Sequence, residues 1–574
     1  MKQLFTLFIA FLLPLISYAD DSGTCGDGLT YTYEESTQTL TITGYGKMSD
    51  YADMYRISRE PAPWHQYRTS IKKILVAGGI TSIGDYAFYG CSSLTSIEIP
   101  NSVTSIGEYA FYGCSSLTSI EIPNSVTSIG NSTFNSCSSL TSIEIPNSVT
   151  SIGNSAFNSC SSLTSIVIPY SVTSIGSSVF SFCYSLTSVE ILGSVTSIGY
   201  HAFSSCSNLI SIVIPNSVTS IGESAFRGCS SLTSIKIPSA VTSIGYSAFE
   251  GCCGLTSIEI PNSITSIDSS TFRDCSGLSS IVIPNSVTSI GNSAFRGCSS
   301  LNSINIPSAV TSIGESAFTD CSELTRADFN SIESLCGINF KSLGSNPLYL
   351  AKHLYINGQE VTDVNIPQSV TSIGSCCLAG CSNLTSITIP ESVTNIGASA
   401  FQDCSGLTSI TIPKGVTSIN SNTFNGCSGL TSITMPESVT NIGVSAFRDC
   451  SGLTSITIPK GVTSINSNTF NGCSGLISIT IPKSMTHIVY NAFEGCSVLS
   501  KVELNSNAIV SKNYNADSSL KDIFGSQVTE YILGENVERI GDYAFFGCSA
   551  LTSITIPENV TIKLHNFGVI NFCA

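Results

Sequence analysis

The stretch Leu94–Ser116 reads LTSIEIPNSVTSIGEYAFYGCSS, and the chain repeats it with small changes at a fixed interval of 23 residues. Its first part, Thr95 to Ile99, has the alternating, β-branched pattern of a short strand. That strand turns Ile97 and Ile99 to one side and Ser96 and Glu98 to the other. Pro100 ends it, because proline has no N–H to give a ladder. Asn101 and Ser102 turn the chain, Val103 to Ile106 is a second short extended piece, and Gly107 closes it. Glu108 to Gly113 is then expected to make one helical or 3₁₀ turn, pointing Ala110 and Phe111 inward with Cys114 behind them. These few inward side chains cannot offset the entropy of fixing a whole unit, so one unit alone does not fold. Stacked units share hydrogen-bond ladders and cover each other's apolar faces, which is the physics of a solenoid.

The register is carried by a cysteine that returns every 23 residues from Cys91 to Cys321 and again from Cys381 to Cys496, with Cys548 as a last outlier. A Phe stands three residues before each of these thiols, Leu378 being the exception. Phe111, Cys114, Phe134, Cys137, Phe157 and Cys160 begin the inward ladder that this pattern predicts. Counting Val/Ile-Thr-Ser-Ile-Gly segments and their close variants gives 18 complete units from Ile80 to Val537, with a truncated one at Val560. The expected fold is mostly β: a curved solenoid of 23-residue repeats with a small β-rich N-terminal cap.

The pattern LTSIxIPxSVTSIGxxAFxGCSS resembles the BspA-like leucine-rich repeat family of secreted and cell-surface proteins, over about residues 75 to 562. Two interruptions also resemble that family: an insert at 331–364 containing LCGINF, NPLY and LYINGQEVTDV, and one at 502–537 containing LNSNAIVSKNY and IFGSQVTEYILG. The opening SGTCGDGLTYTYEESTQTLTITGYGKM, followed by Pro63-Trp64, resembles the family's N-terminal cap. The division this suggests is a cap at 20–75 and repeat blocks at 76–330 and 365–501, with final repeats at 538–562. An irregular tail follows at 563–574. The resemblance implies an adhesin that binds host matrix proteins or other cells, with no catalytic residues to carry over.

Composition narrows the partners. A formal charge of -16 disfavours nucleic acid, whose phosphates need clustered Lys and Arg, and disfavours an anionic membrane surface for the same reason. Lys2, the apolar run Leu4 to Ile16 and the small-x-small site Ser17-Tyr18-Ala19 read as a signal peptide over 1–19, so export is expected. No later stretch is long and apolar enough to read as a membrane span.

An exported chain with 24 Cys would ordinarily be read as a disulfide framework. In-register thiols on neighbouring units, however, lie about 4.8 Å apart with parallel Cβ vectors, whereas a bridge wants Cβ atoms near ~3.8 Å and turned toward each other. Burial as small apolar residues is the favoured reading, ahead of bridges between adjacent units. Identical stacked positions build no tetrahedral metal cage. Cys377 falls in the slot that Ala110 fills elsewhere and reads as core, whereas Cys25, Cys336 and Cys376 are left open between exposed and bridged.

Two surfaces are candidates for contact with a ligand. The solvent-facing centre of each first strand carries Glu98, Glu121 and Glu144 at the start of a mixed acidic and apolar row. After the first insert that position is Thr388, Thr411, Thr434, Thr457 and Thr480. This change reads either as two contact surfaces or as drift after duplication; a calcium site on the acidic row would need oxygens that converge on one point. The inserts offer Tyr349, His353, Tyr355 and Asn357, and then Asn513, Tyr514 and Asn515, aromatic and amide groups suited to protein or glycan contacts. They read equally as splices between repeat blocks. No catalytic set is expected: the five His residues fall in different repeat slots, and no Ser or Cys has an adjacent base. No cofactor or metal is expected either. The expected role is attachment to host extracellular or cell-surface proteins, with glycan binding or spacing of other modules as the alternative.

Overall fold

The structure is a computed structural model that describes residues 21–52, 60–515 and 517–560. The expected signal peptide and the tail at 563–574 lie outside the described residues. The chain divides into two compact units, Met1–Ile235 and Lys236–Ala574.

In the first unit, β1 (Asp21–Gly26), β2 (Leu29–Glu34) and β3 (Thr39–Gly44) form an antiparallel meander. The strand Lys73–Val76 then pairs parallel with β3 and, on its other edge, with Ser96–Glu98 of the first full repeat. The cap is thus the seed on which the parallel ladder grows. Trp64 completes it: its indole Nε1–H donates to Ala87 O at 2.8 Å, and its ring stacks on Phe88 at 5.9 Å between centroids.

Beyond the cap each repeat adds one rung to each of two ladders. Ser119–Glu121 and Ser142–Glu144 pair parallel and in register, residue for residue, and so do the shorter Ser105–Ile106, Ser128–Ile129 and Ser151–Ile152. Inside, Phe111, Phe134, Phe157 and Phe180 lie in one stack, 5.3 to 5.5 Å between centroids and within 10° of parallel. The thiols run beside them, each donating to the carbonyl of the Phe one unit back: Cys114 to Phe88 O at 3.3 Å, Cys137 to Phe111 O and Cys160 to Phe134 O at 3.2 Å. Every described cysteine is a free thiol, and all but Cys253 are buried.

The third side of the repeat differs from the helical turn expected there. Glu108 to Gly113 runs through successive turns, with the backbone left-handed at Tyr109 (φ 56°) and Gly113 (φ 69°). A helical turn would use its N–H groups within the unit. Here Tyr109, Phe111 and Gly113 donate forward to Asn131, Thr133 and Asn135 of the next unit at 2.8 to 2.9 Å. The strand edges donate backward, as Thr104 N–H does to Thr81 O at 2.9 Å. Every face of a repeat is therefore stitched to its neighbour, which satisfies backbone groups that one unit cannot pair alone.

The second unit repeats this architecture around two inserts. Phe249, Phe272, Phe295 and Phe318 stack at 5.3 to 5.6 Å, and Phe401, Phe424, Phe447, Phe470 and Phe493 at 5.2 to 5.6 Å. The first insert leaves the ladders and rejoins them. Helix α1 (Ile332–Gly337) leads to Asn339–Phe340, which pairs with Ser312–Ile313. Helix α2 (Leu348–Ala351) leads to Leu354–Ile356, which pairs with Ala327–Phe329. In the second insert, α3 (Asn507–Val510) and α4 (Leu520–Phe524) are looped out between Lys501–Leu504 and Glu530–Leu533, two strands that pair in register. Phe524 stands in the aromatic stack, 5.1 Å from Phe493.

Candidate functional site

On the repeat surface whole columns of hydroxyls are engaged by the backbone. Thr141 Oγ1 donates to Thr118 O and Thr164 Oγ1 to Thr141 O, both at 3.2 Å, so this Thr column serves the backbone of the preceding rung. In the first unit the centres of the strands remain open. Glu98, Glu121 and Glu144 are exposed, Glu121 lies directly beside Glu144, and further along the row Val213 is 75% exposed. In the second unit Val282 is 71% exposed, and the row from Thr388 to Thr480 faces solvent.

The first insert is the most differentiated surface. After Leu354–Ile356 the chain reverses at Asn357 (φ 49°) and Gly358 (φ 79°) and returns as Gln359–Glu360, antiparallel to the strand it has left. Both turn residues need positive φ, the requirement of a tight two-residue hairpin, and Asn-Gly meets it. Beside the hairpin the Arg326 guanidinium lies 4.4 Å from the Tyr355 ring centroid, pairs with Asp328 at 2.8 Å and donates to Gly358 O in the turn at 3.2 Å. Across the strand pair His353 Nδ1 sits 2.6 Å from Glu360 Oε1, which also accepts from Asn383 Nδ2 at 2.9 Å. These hydrogen bonds, that of His353 first, hold the Glu360 carboxyl below its ordinary value. His353, Tyr355 and Asn357 thus share one hairpin, with Asn357 exposed at its tip. Tyr349 lies apart on α2, half-buried, with Lys352 Nζ 4.6 Å above its ring. Burial, and secondarily Asp403, raises its hydroxyl pKa.

The second insert distributes its candidates differently. Tyr514 points inward, only 8% exposed, and its hydroxyl donates to Ile509 O at 2.8 Å. Asn513 is exposed, and its side-chain oxygen accepts from Asp542 N–H at 3.2 Å.

Reasoning from the sequence missed Arg326, Asp328, Glu360 and Asn383. A signal for two of them was present. Arg326 and Asp328 stand at the outward positions that other first strands fill mostly with Ser and a single charged or neutral residue. Also missed was a cleft of about 680 Å³ between α1 and the repeat that resumes after the insert, lined by Glu333, Cys336, Asn339, Ser369, Thr371 and Ser375. Among the described residues no group of three or more His, Cys, Asp or Glu side chains is placed to hold a metal ion. No helix among them is long and apolar enough to cross a membrane.

The fold is a leucine-rich repeat solenoid whose first insert adds a hairpin carrying His353 and Tyr355. The chain belongs to the family described as the BspA-type leucine-rich repeat region (6 copies), whose model matches residues 81–210, 196–325, 349–477 and 523–568. No curated protein matches it. Among solved structures it is similar to a leucine-rich repeat protein from Bacteroides ovatus, at 26% identity and a TM-score of 0.33, over 83% of this chain and 94% of that one. It is also similar to a leucine-rich cell surface protein from Faecalibacterium prausnitzii, at 24% identity and a TM-score of 0.33, over 85% and 96% of the two chains. The leucine-rich repeat protein of T. pallidum is 28% identical over 32% of this chain and 90% of its own, with a TM-score of 0.25.

Proposed function

We propose that this chain is an exported, non-catalytic binding protein that attaches a cell to host extracellular proteins or to other cells. The first-insert hairpin is its principal contact. One observation carries the reading. The hairpin and the strand beside it bring together Arg326, Asp328, His353, Tyr355 and Glu360, so that two pairs of oppositely charged or polar groups flank one aromatic ring at a break in the repeat. Aromatic and Arg groups of this kind dominate the energetics of protein contacts. The signal-like N-terminus supports export, and family membership supports a repeat scaffold without chemistry of its own.

The test is capture of extracellular-matrix and cell-surface proteins by the full chain, set against a variant carrying Tyr355→Ala and His353→Ala. The proposal expects retention of a protein partner by the parent chain, loss of at least tenfold in affinity in the variant, and no effect of free sugars. Competition by free sugar, or loss of capture after glycosidase treatment of the partner, would move the function to glycan binding. Equal capture by parent and variant would remove the hairpin from the account.

A further inference from the structure

Two thiols stand outside the ladder and face each other. Cys336 lies in the last turn of α1, and Cys377 lies in the repeat that resumes after the insert. Though 41 residues apart in sequence, their sulfurs are 3.9 Å from one another, and both side chains are buried. The ladder thiols are different. Most donate to a carbonyl one unit back, as Cys404 does to Leu378 O and Cys427 to Phe401 O at 3.2 and 3.1 Å; Cys381 donates to Asn383 Oδ1 at 3.2 Å, and Cys377 has Leu335 O of α1 at 3.7 Å beside the Cys336 sulfur. The column that contains Cys377 is elsewhere Ala, Thr or Val, as in Ala110, Thr133, Ala156 and Val179. A Cys thus enters this column at the rung against which an insert helix presents another Cys.

We propose that Cys336 and Cys377 are joined in the exported protein by a disulfide that staples the first insert to the repeat block after it. This inference stands apart from the binding proposal. The oxidant is a disulfide, either a small-molecule one or that of a thiol oxidoreductase. One protein thiolate attacks it, forming a mixed disulfide and releasing one thiol. The second protein thiolate then attacks the protein sulfur of that bond and releases the other thiol. One S–S bond forms and one breaks. Two electrons pass from the protein to the oxidant, and the two protein protons leave with the released thiols. The 3.9 Å between the sulfurs must close to about 2.05 Å for the bond to form. Ser369 Oγ already donates to Glu333 of α1, so the staple adds a covalent tie to a wall that is docked. That wall lines the cleft of about 680 Å³, whose shape the bond would hold.

The test is peptide mapping of the full chain after equilibration in an oxidised and reduced glutathione buffer, with thiols capped under denaturing conditions and without reduction. The expected result is a linked Cys336–Cys377 peptide two hydrogens lighter than its parts, with Cys404 and Cys427 capped. Cys377→Ala, which restores the residue common in that column, should leave Cys336 capped. The denaturation midpoint of the parent chain should rise on oxidation and that of the variant should not. Recovery of Cys336 and Cys377 as separately capped peptides would overturn the proposal. So would a bond from Cys336 to Cys376, the neighbour of Cys377 in sequence.

Discussion

At the scale of the residue, the spine is a column of rings and a column of thiols, and each makes a separate demand. Phe134 lies between Phe111 and Phe157 at 5.3 and 5.4 Å with no exposed surface. Its truncation leaves a cavity that neighbours fixed by rung spacing cannot collapse to fill. Phe134→Ala should therefore cost about 3–5 kcal/mol in urea unfolding, and a loss under about 1 kcal/mol would contradict the packing described. The thiols add a dependence on pH. Burial pushes Cys137, Cys183 and Cys229 up to about 12 from an ordinary 9.0. Between those values the unfolded chain loses protons that the folded chain keeps, so stability is intact below pH ~9 and falls as pH rises, by up to about 1.4 kcal/mol per thiol per pH unit. Urea midpoints measured from pH 7 to 10.5 should decline steadily in the upper part of that range, and a flat profile would contradict thiol burial. The turn column makes the opposite demand, for backbone rather than bulk. Ser155 sits at φ 56°, where a β-branched residue is strained. Ser155→Val should cost ~1–2 kcal/mol, and Ser155→Gly should be neutral or better, by the same urea assay.

At the scale of the element, the strands and the inward columns were legible in one 23-residue window, because a period of two for Ile97 and Ile99 and a constant offset between Phe111 and Cys114 need no partner to be read. The path from Glu108 to Gly113 was not legible. Its left-handed residue is usually Ser, as at Ser132, Ser155 and Ser178, and Ser does not announce positive φ as Gly or Asn does. The forward direction of its N–H groups is a property of the stack, which no single unit contains. The hairpin at Asn357-Gly358 was open to reading, since that dipeptide is a strong turn signal. Its partners Arg326 and Asn383 come from neighbouring rungs, and only pairing in space brings them to it. Helix α1 offers a direct check on such local structure. Ser331 caps it, its hydroxyl accepting from Ser334 N–H at 3.1 Å while Ser334 Oγ accepts from Ser331 N–H at 3.2 Å. Ser331→Ala should destabilise the helix by about 1 kcal/mol, read as faster hydrogen exchange at the Leu335 amide, which donates to Ser331 O. Unchanged exchange at that amide would show the cap to be idle.

At the scale of the molecule, the account rests on cooperation between neighbouring repeats rather than on any repeat by itself. A peptide spanning Leu94–Ser116 should show no secondary structure by circular dichroism, because most of its backbone partners belong to adjacent rungs. The central claim is that oily rings and thiols at constant spacing form a continuous buried spine in each unit, from which everything else projects. Its most direct test is thiol labelling of the native full chain with a small alkylating reagent, read peptide by peptide by mass spectrometry. The account predicts rapid labelling at the exposed Cys253, and labelling of Cys114, Cys137 and Cys160 only when denaturant is added. Native labelling of Cys114, Cys137 and Cys160 at the rate of Cys253 would contradict it.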